Sequence, residues 1–317
     1  YPPNIFFQQP YWPDMRGLSD YLSRTSYVLS CGRRVTEVLL LHPIETAWTL
    51  YTPGAGQRVE EYYKDFVEII EQLLRQQIDF DLGDEGLIAK YGKVVDGRFQ
   101  VGMQDYGVVV APPMLTIRSS TLELLTRFAQ EGGVVLFVDQ VPSLVDGRPS
   151  DLLVDQEWIA MEQLTAVLEG HLQERVRLQA PKEELRQAIW YQHRRLDNGD
   201  EIWFFANTSR DQGGPVHLQL PGKKHLLRLD SESGQLYQLD NDNSVTESFI
   251  WNFAPAGSLL LLATAEPQRY GFVYRTRKEF IPRRVLELDE PWSFERLAPN
   301  ALCLDFCQYR VGNGQWS

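Results

Sequence analysis

A histidine, a carboxylate and two aromatic residues follow the first long apolar run of the chain. The residues are His42, Glu45, Trp48 and Tyr51, and Pro113 follows a later apolar run. Imidazole and carboxylate groups can hydrogen-bond to sugar hydroxyls, while aromatic rings stack on the C–H faces of a sugar. The pattern therefore predicts a binding site for a polar ligand such as a carbohydrate. The alternative is packing, in which Trp48 and Tyr51 cover a sheet edge and His42 bonds to a loop.

Several catalytic and cofactor motifs with fixed spacing are absent from the sequence. It contains no Gly-x-Ser-x-Gly elbow, no phosphate-binding P-loop and no His-Glu-x-x-His pair. Gly54-Ala-Gly56 has Val59 where a dinucleotide fingerprint needs its third glycine. We therefore expect no cofactor and no metal. Since glycoside hydrolysis depends on the separation of two carboxyl groups in space, the 43 acidic residues single out no catalytic pair.

The three cysteines, Cys31, Cys303 and Cys307, form an odd and sparse set. Such a set argues against a disulfide framework and favours a reducing, cytoplasmic compartment; no secretion signal is visible at the start. We expect Cys303 and Cys307 to be small buried side chains of a strand. None of the three follows a predicted α/β strand, where an amidotransferase nucleophile would stand.

Composition excludes two classes of partner. The formal net charge is −12, with no dense basic segment to bind a nucleic acid or an anionic membrane. The longest apolar runs, around 134–138 and 259–263, are much shorter than the roughly 18 residues of a membrane helix. A length of 317 residues suggests about two domains of an ordinary globular protein.

The elements that must position these residues alternate between strand and helix in the first half of the chain. A helix over 14–32 precedes the alternation. Strands are predicted over 35–43, 79–82, 106–113 and 134–138, helices over 58–78, 119–130 and 156–169, and a hairpin around Asp96-Gly97. This alternation predicts a flavodoxin-like, mostly parallel α/β sheet over 33–181. Ligands of such sheets bind beyond the carboxyl ends of the strands, where His42 and Pro113 stand.

Beyond Pro181 the apolar period falls toward two. Short strands are predicted over 189–193, 201–206, 216–220, 225–229, 235–239, 248–253 and 259–263. Strands of this length with Asn, Gly and Asp turns between them are typical of an antiparallel β-sandwich, which we place at 182–267. Residues 268–317 are interpreted as a linker and the start of a further β domain.

Several segments resemble large bacterial glycoside hydrolases of the α-L-rhamnosidase-like type. Gln-Pro-Tyr-Trp-Pro-Asp at 9–14 and the stretch 20–43 are similar to the link between a catalytic (β/α)8 barrel and an amidotransferase-like α/β domain in those proteins. Residues 106–113 and 128–138 are similar to strands of that domain, which also serves as the trimerisation domain of certain β-galactosidases. Segments 290–295, 299–305 and 314–316 are similar to the beginning of a sugar-binding β-sandwich.

The resemblance implies that the catalytic carboxylates lie in a barrel upstream of this chain, so no catalytic residue is carried over. Residues 1–32 would be a linker and helix from the end of that barrel. The implied partners are the barrel, a downstream sugar-binding domain, a carbohydrate and a second copy of the chain. The resulting hypothesis is a non-catalytic accessory segment that supports the barrel and lines its cleft or a subunit contact.

Two alternatives remain open on sequence. One is a self-contained hydrolase that uses the His42/Glu45 loop. The other is a carbohydrate-binding module that uses exposed aromatic residues such as Trp190, Trp203 or Trp251.

Overall fold

The computed structural model describes residues 7, 9–54, 56–172, 175–239, 245–267 and 273–275. The helices are α1 Met15–Ser30, α2 Ile44–Leu50, α3 Gln57–Arg75, α4 Glu85–Tyr91, α5 Ser119–Gln130, α6 Leu164–His171 and α7 Glu183–Ala188. The first twelve strands are β1 Arg33–Arg34, β2 Val38–Leu41, β3 Phe80–Gly83, β4 Gly92–Val95, β5 Arg98–Val101, β6 Gln104–Tyr106, β7 Val108–Ala111, β8 Thr116–Ile117, β9 Val134–Val138, β10 Leu144–Val145, β11 Arg148–Pro149 and β12 Trp158–Ile159. The remaining strands are β13 Arg177–Gln179, β14 Ile189–Arg195, β15 Glu201–Asn207, β16 Gly214–Asp230, β17 Gln235–Gln238, β18 Thr246–Phe253, β19 Ser258–Thr264 and β20 Val273–Arg275.

A five-stranded parallel sheet forms the centre of the first half, in the order β3-β2-β7-β9-β12. Strands β2 and β7 are buried at every position, because their runs Val-Leu-Leu-Leu and Val-Val-Val-Ala lie between helices on both faces. Helix α3 packs on one face through Phe66, Ile69 and Leu73, and α5 packs on the other. The predicted parallel α/β sheet is confirmed, and its strand order reverses between β2 and β7.

The predicted helix over 156–169 is wrong in its first half. Trp158 and Ile159 form the edge strand β12, which pairs in parallel with Phe137 and Val138, and α6 begins only at Leu164. Pairing at the open edge of the sheet overrides the helical spacing of the local sequence, since Trp and Ile also suit a strand.

A three-stranded antiparallel sheet, β4-β5-β6, packs on the same face of the parallel sheet as α5. The predicted hairpin is confirmed: Asp96 and Gly97 have φ of 51° and 70°, as the tight turn between twisted strands requires. Val94, Phe99 and Tyr106 from this sheet are buried against the core of the parallel sheet. A further short sheet joins β8, β10 and β11.

The second half contains two sheets that share one strand. The larger follows the order β1-β14-β15-β19-β16-β17-β20, and the smaller joins β13 and β18 to the first half of β16. All pairs are antiparallel except β17 with β20. Trp203 and Phe205 of one sheet and Val216 and Leu218 of the other lie in a common core. Helix α1, close to the predicted 14–32, packs on the outer face of the larger sheet through Val28 and Leu29. We call these elements the two-sheet unit.

Strand β16 replaces two predicted strands, 216–220 and 225–229. The backbone continues through Pro221 and Gly222, with φ of 72° at Gly222, and its register shifts between Gln219 and Lys224. This irregularity turns the strand from the smaller sheet into the larger one. A Pro-Gly pair usually marks a turn between strands, but here pairing with β18 on one side of it and β19 on the other keeps the backbone within one strand.

The chain crosses between the two halves twice. Before it enters the parallel sheet, β1 pairs with β14, and after it leaves, β13 pairs with β16. Residues 33–34 and 177–179 thus pair with the two-sheet unit although they precede the proposed boundary at 181, and the division into domains stays a prediction. The predicted further β domain, with Cys303 and Cys307, lies outside the described residues. Within the described ranges, no helix is long and apolar enough to cross a membrane.

Candidate functional site

Polar side chains meet where β2, β3 and β7 end. Helix α2 follows β2 and carries Glu45, and α4 follows β3 and begins with Glu85. The segment after β7 forms β8 and then reaches Arg118, the residue before α5. Because the carboxyl ends of parallel strands meet at one edge, three segments distant in sequence come together here.

An ion pair joins two of these segments. Arg118 contacts Oε1 of Glu45 through Nε at 2.7 Å and through a terminal guanidinium nitrogen at 2.6 Å. The hydrogen bond with Glu45 raises the pKa of Arg118. Oε2 of Glu45 is buried and has no hydrogen-bond partner among the described residues. Only one oxygen of Glu45 is therefore engaged.

Glu85 lies beneath this ion pair and is fully buried. Its Oε2 accepts a hydrogen bond from the backbone N–H of Arg118 at 2.8 Å. Burial raises the pKa of Glu85, and the nearby charge of Glu45 adds to the effect. Two nearby carboxyl groups in different environments are the arrangement of many acid–base pairs. Because Glu85 is sealed from solvent, however, the arrangement fits a structural link between α4 and α5 better than contact with a substrate.

A pocket of about 440 Å³ opens beside the ion pair. It is lined by Glu45, Trp48, Thr49, Arg118 and Asp146, among others. Trp48 lies at its rim and is 64% exposed. The Asp146 carboxylate accepts a hydrogen bond from the backbone N–H of Ser119, and this bond lowers its pKa. The pocket thus offers an aromatic face, a cation and carboxylates to a polar ligand.

The pocket brings together only part of the predicted binding set. Glu45 and Trp48 line it, whereas His42 packs its ring against Phe66 with centroids 5.4 Å apart. Tyr51 is exposed at the end of α2, and Pro113 is buried. Ligand binding by these residues stays a prediction.

Sequence reasoning missed Arg118, Glu85 and Thr46. The hydroxyl of Thr46 is fully buried and accepts hydrogen bonds from the backbone N–H groups of Leu115 at 2.9 Å and Thr116 at 3.4 Å. It fixes the segment after β7 against α2. The available signal was positional, since each missed residue lies within three positions of the end of a predicted strand or the start of a predicted helix.

The aromatic residues of the two-sheet unit differ in exposure. Trp203 is buried in the core, Trp190 is partly exposed, and the ring of Trp251 lies 5.6 Å from the guanidinium of Arg228. In the part of the chain that the structure describes, no group of His, Cys, Asp and Glu could hold a metal ion.

Comparisons with known proteins identify the fold. No family model and no curated protein matches the sequence. Among solved structures, the chain is similar to a β-galactosidase from Bacillus circulans sp. alkalophilus, with a TM-score of 0.53 and 12% identity over 82% of this chain and 46% of that one. It is also similar to a catalytic mutant of a GH42 β-galactosidase from G. stearothermophilus, with a TM-score of 0.51 and 11% identity over 81% and 44% of the two chains. An α-L-fucosidase isoenzyme 2 from Paenibacillus thiaminolyticus matches with a TM-score of 0.46 and 11% identity over 77% and 50%.

The chain spans half or less of the length of these three proteins. Identities this low show a shared fold alone. The protein therefore has a mixed fold, a parallel α/β sheet joined to antiparallel sheets, of a kind that occurs within glycoside hydrolases.

Proposed function

We propose that the chain is a non-catalytic accessory segment of a multi-domain glycoside hydrolase that acts on plant or microbial polysaccharide. In this proposal the parent is α-L-rhamnosidase-like, 33–181 is a flavodoxin-like domain related to the glutamine amidotransferases, and 182–267 is a β-sandwich. The observation that carries the proposal is the extent of the structural likeness. It runs through 81–82% of this chain, and so through both halves, in two β-galactosidases.

The carboxylates at the strand ends support a non-catalytic role. Glycoside hydrolysis needs two carboxyl groups that flank the scissile bond. Here Glu85 is fully buried, and Oε1 of Glu45 is occupied by Arg118. The pair cannot place both carboxyl groups on one sugar.

The surface of α1 supports a protein partner. Val28 and Leu29 near the end of the helix pack on the two-sheet unit, while Leu18 and Leu22, one helical turn apart near its start, are exposed. Apolar side chains grouped on an exposed helix face are typical of an interaction surface. In this proposal they contact the catalytic barrel of the same chain, with a downstream sugar-binding domain and a second copy of the chain as further partners.

Activity of the purified chain tests the accessory role. Nitrophenyl β-galactoside, α-rhamnoside and α-fucoside are the substrates, and we expect no hydrolysis above the rate without protein. Turnover that is lost in Glu45→Gln or Glu85→Gln would overturn the proposal in favour of a self-contained hydrolase. The reading frame of the gene is a second test: it should encode a (β/α)8 barrel, and a frame without one contradicts the proposal.

The pocket beside Trp48 favours a second role, carbohydrate binding by Glu45 and Trp48, the two members of the predicted set that line it. The exposed indole next to an ion pair is the supporting observation. Galactose and rhamnose should quench the tryptophan fluorescence of the protein, and Trp48→Ala should abolish the change. Trp158→Ala, at another exposed tryptophan, is the control and should retain it. A response that survives in Trp48→Ala contradicts this role.

A further inference from the structure

A second cavity, of about 750 Å³, lies between the parallel sheet and the two-sheet unit. Its polar lining consists of Glu37, Arg98, His193, Arg195, Glu201 and Lys224, with His171 also present. Val35 and Glu37, from the connection between β1 and β2, belong to it, and so does the irregular part of β16 at Pro221 and Gly222. We call it the junction cleft. Its volume is within the range of small-molecule sites, which often lie between domains.

One of the two carboxylates of the cleft, that of Glu201, stands among three basic groups. The side chain of Glu201 is 9% exposed. Its Oε1 lies 3.4 Å from a guanidinium nitrogen of Arg195 and 3.8 Å from Nζ of Lys224, and its Oε2 lies 3.7 Å from Nε2 of His193. Charge-assisted hydrogen bonds are usually about 2.7–2.9 Å long. The three basic groups therefore surround Glu201 without any of them forming a short bond to it.

Arg98, in the same cleft, forms ion pairs at normal hydrogen-bond distances, unlike Arg195 and Lys224. It contacts Glu37 at 2.6 Å and Asp105 at 2.7 Å, so its charge is neutralised at normal hydrogen-bond lengths. Arg195 and Lys224 share the one carboxylate of Glu201 and exceed it in charge. The side of the cleft that holds Arg195, Lys224 and Glu201 therefore carries an excess of one positive charge, whereas the side around Arg98, with Glu37 and Asp105, carries an excess of one negative charge.

The imidazole of His193 has a ring nitrogen without a hydrogen-bond partner among the described residues. Its Nε2 is buried and forms no hydrogen bond within the described residues. Burial lowers the pKa of this imidazole. Burial alone would raise the pKa of Glu201, but the interactions of its carboxylate with His193, Lys224 and Arg195 outweigh that effect, so its pKa is lowered too. Buried polar atoms normally have a partner. An unpartnered one that lines a cavity points to a ligand that supplies it.

We propose that the junction cleft binds an acidic sugar, with Arg195 and Lys224 contacting its carboxylate or sulfate group and Glu201 accepting hydrogen bonds from its hydroxyls. The anionic character follows from the charges, because Arg195 and Lys224 share only the one carboxylate of Glu201 and an anionic group would balance the second positive charge. That the ligand is a saccharide rests on the proposed function.

Titration calorimetry of the full chain at low salt tests the proposal with four probes: galacturonate, galactose 6-sulfate, galactose and inorganic sulfate. We expect an acidic sugar to bind at least about tenfold more tightly than galactose, since charge-assisted bonds are roughly twice as strong as neutral ones. If galacturonate binds more tightly than galactose 6-sulfate, the ligand carries a carboxylate, and the reverse order indicates a sulfate ester. Lys224→Met and Arg195→Gln should each weaken binding by about tenfold.

Lys223→Met is the matched control, because Lys223 is the exposed neighbour of Lys224 and does not line the cleft. It should bind like the unmodified protein. Arg195 is 52% exposed, so its variant should fold even if Lys224→Met does not. The proposal is overturned by equal affinity for galactose and the acidic sugars, by no binding of either acidic sugar, or by an equal loss in Lys223→Met. Sulfate that binds as tightly as the sugars would show an adventitious ion only. Glycoside hydrolysis by the chain would overturn the accessory role and leave these affinities unchanged.

Discussion

His193 and Trp203 lie face to face, with ring centroids 3.6 Å apart and planes within 10° of parallel. They are directly opposite each other on the paired strands β14 and β15. The indole belongs to the core of the two-sheet unit, and the imidazole faces the junction cleft. The wall of the cleft is therefore held by core packing, and the charges around Glu201 are fixed on a rigid support.

Glu201→Gln should destabilise the protein at neutral pH by about 2 kcal/mol, because Arg195 and Lys224 then lose their carboxylate. The pKa of Glu201 is lowered in the folded protein, so its stabilisation is present above the unfolded value of about 4.5 and is lost as the pH falls through the folded value. Urea unfolding at pH 3 to 7 should show the two proteins converging toward low pH. Glu183→Gln, at an exposed ion pair, should change the unfolding free energy by under about 0.5 kcal/mol. A pH-independent loss in Glu201→Gln contradicts the assignment.

Glu85→Gln should show the opposite pH dependence. The pKa of Glu85 is raised in the folded protein, so its contribution is full below about 4.5 and is lost as the pH rises through the folded value. An amide carries no charge and can still accept the hydrogen bond from the N–H of Arg118. The stability of the variant relative to the unmodified protein should therefore increase between pH 4 and 7. Unfolding free energies that differ by the same amount at both ends of that range would disprove a raised pKa.

Thr46→Val should cost about 1–3 kcal/mol, because the N–H of Leu115 loses its acceptor in a fully buried place. Thr49→Val is a near-identical change one helical turn away. The Thr49 hydroxyl is exposed and donates to the carbonyl of Glu45, so its loss should stay within about 0.5 kcal/mol. Denaturant unfolding compares the two variants, and equal effects would show that Thr46 does not anchor the segment after β7.

Gly133→Ala should destabilise the parallel sheet by about 1–3 kcal/mol. A Cβ at this position would lie 2.1 Å from the buried ring of Phe128, which cannot move without disturbing the core. Gly170→Ala, within α6 and with open space around it, should instead stabilise the protein by about 0.5–1 kcal/mol. Thermal unfolding of both variants should shift in opposite directions, and a neutral result for Gly133→Ala would contradict the close packing.

Local patterns predicted most elements but few of the contacts between them. The continuous apolar runs of β2 and β7 and the Asp96-Gly97 turn are readable in sequence because their physical causes lie within a few residues. The pair of Arg118 and Glu45 is separated by 73 positions, and β1 pairs with a strand about 160 residues away. Nothing in either local sequence specifies such a partner. The same holds for β12, whose two residues become a strand only because β9 leaves an edge beside them.

The double crossing of the chain determines how the two halves can move. A domain joined by a single linker can rotate about it, but here the chain crosses between the halves twice. One crossing follows the pairing of β1 with β14, and the other precedes the pairing of β13 with β16. A hinge motion must therefore bend both crossings at once, which limits the directions in which the junction cleft can open. A ligand there would meet a binding site that is largely preformed.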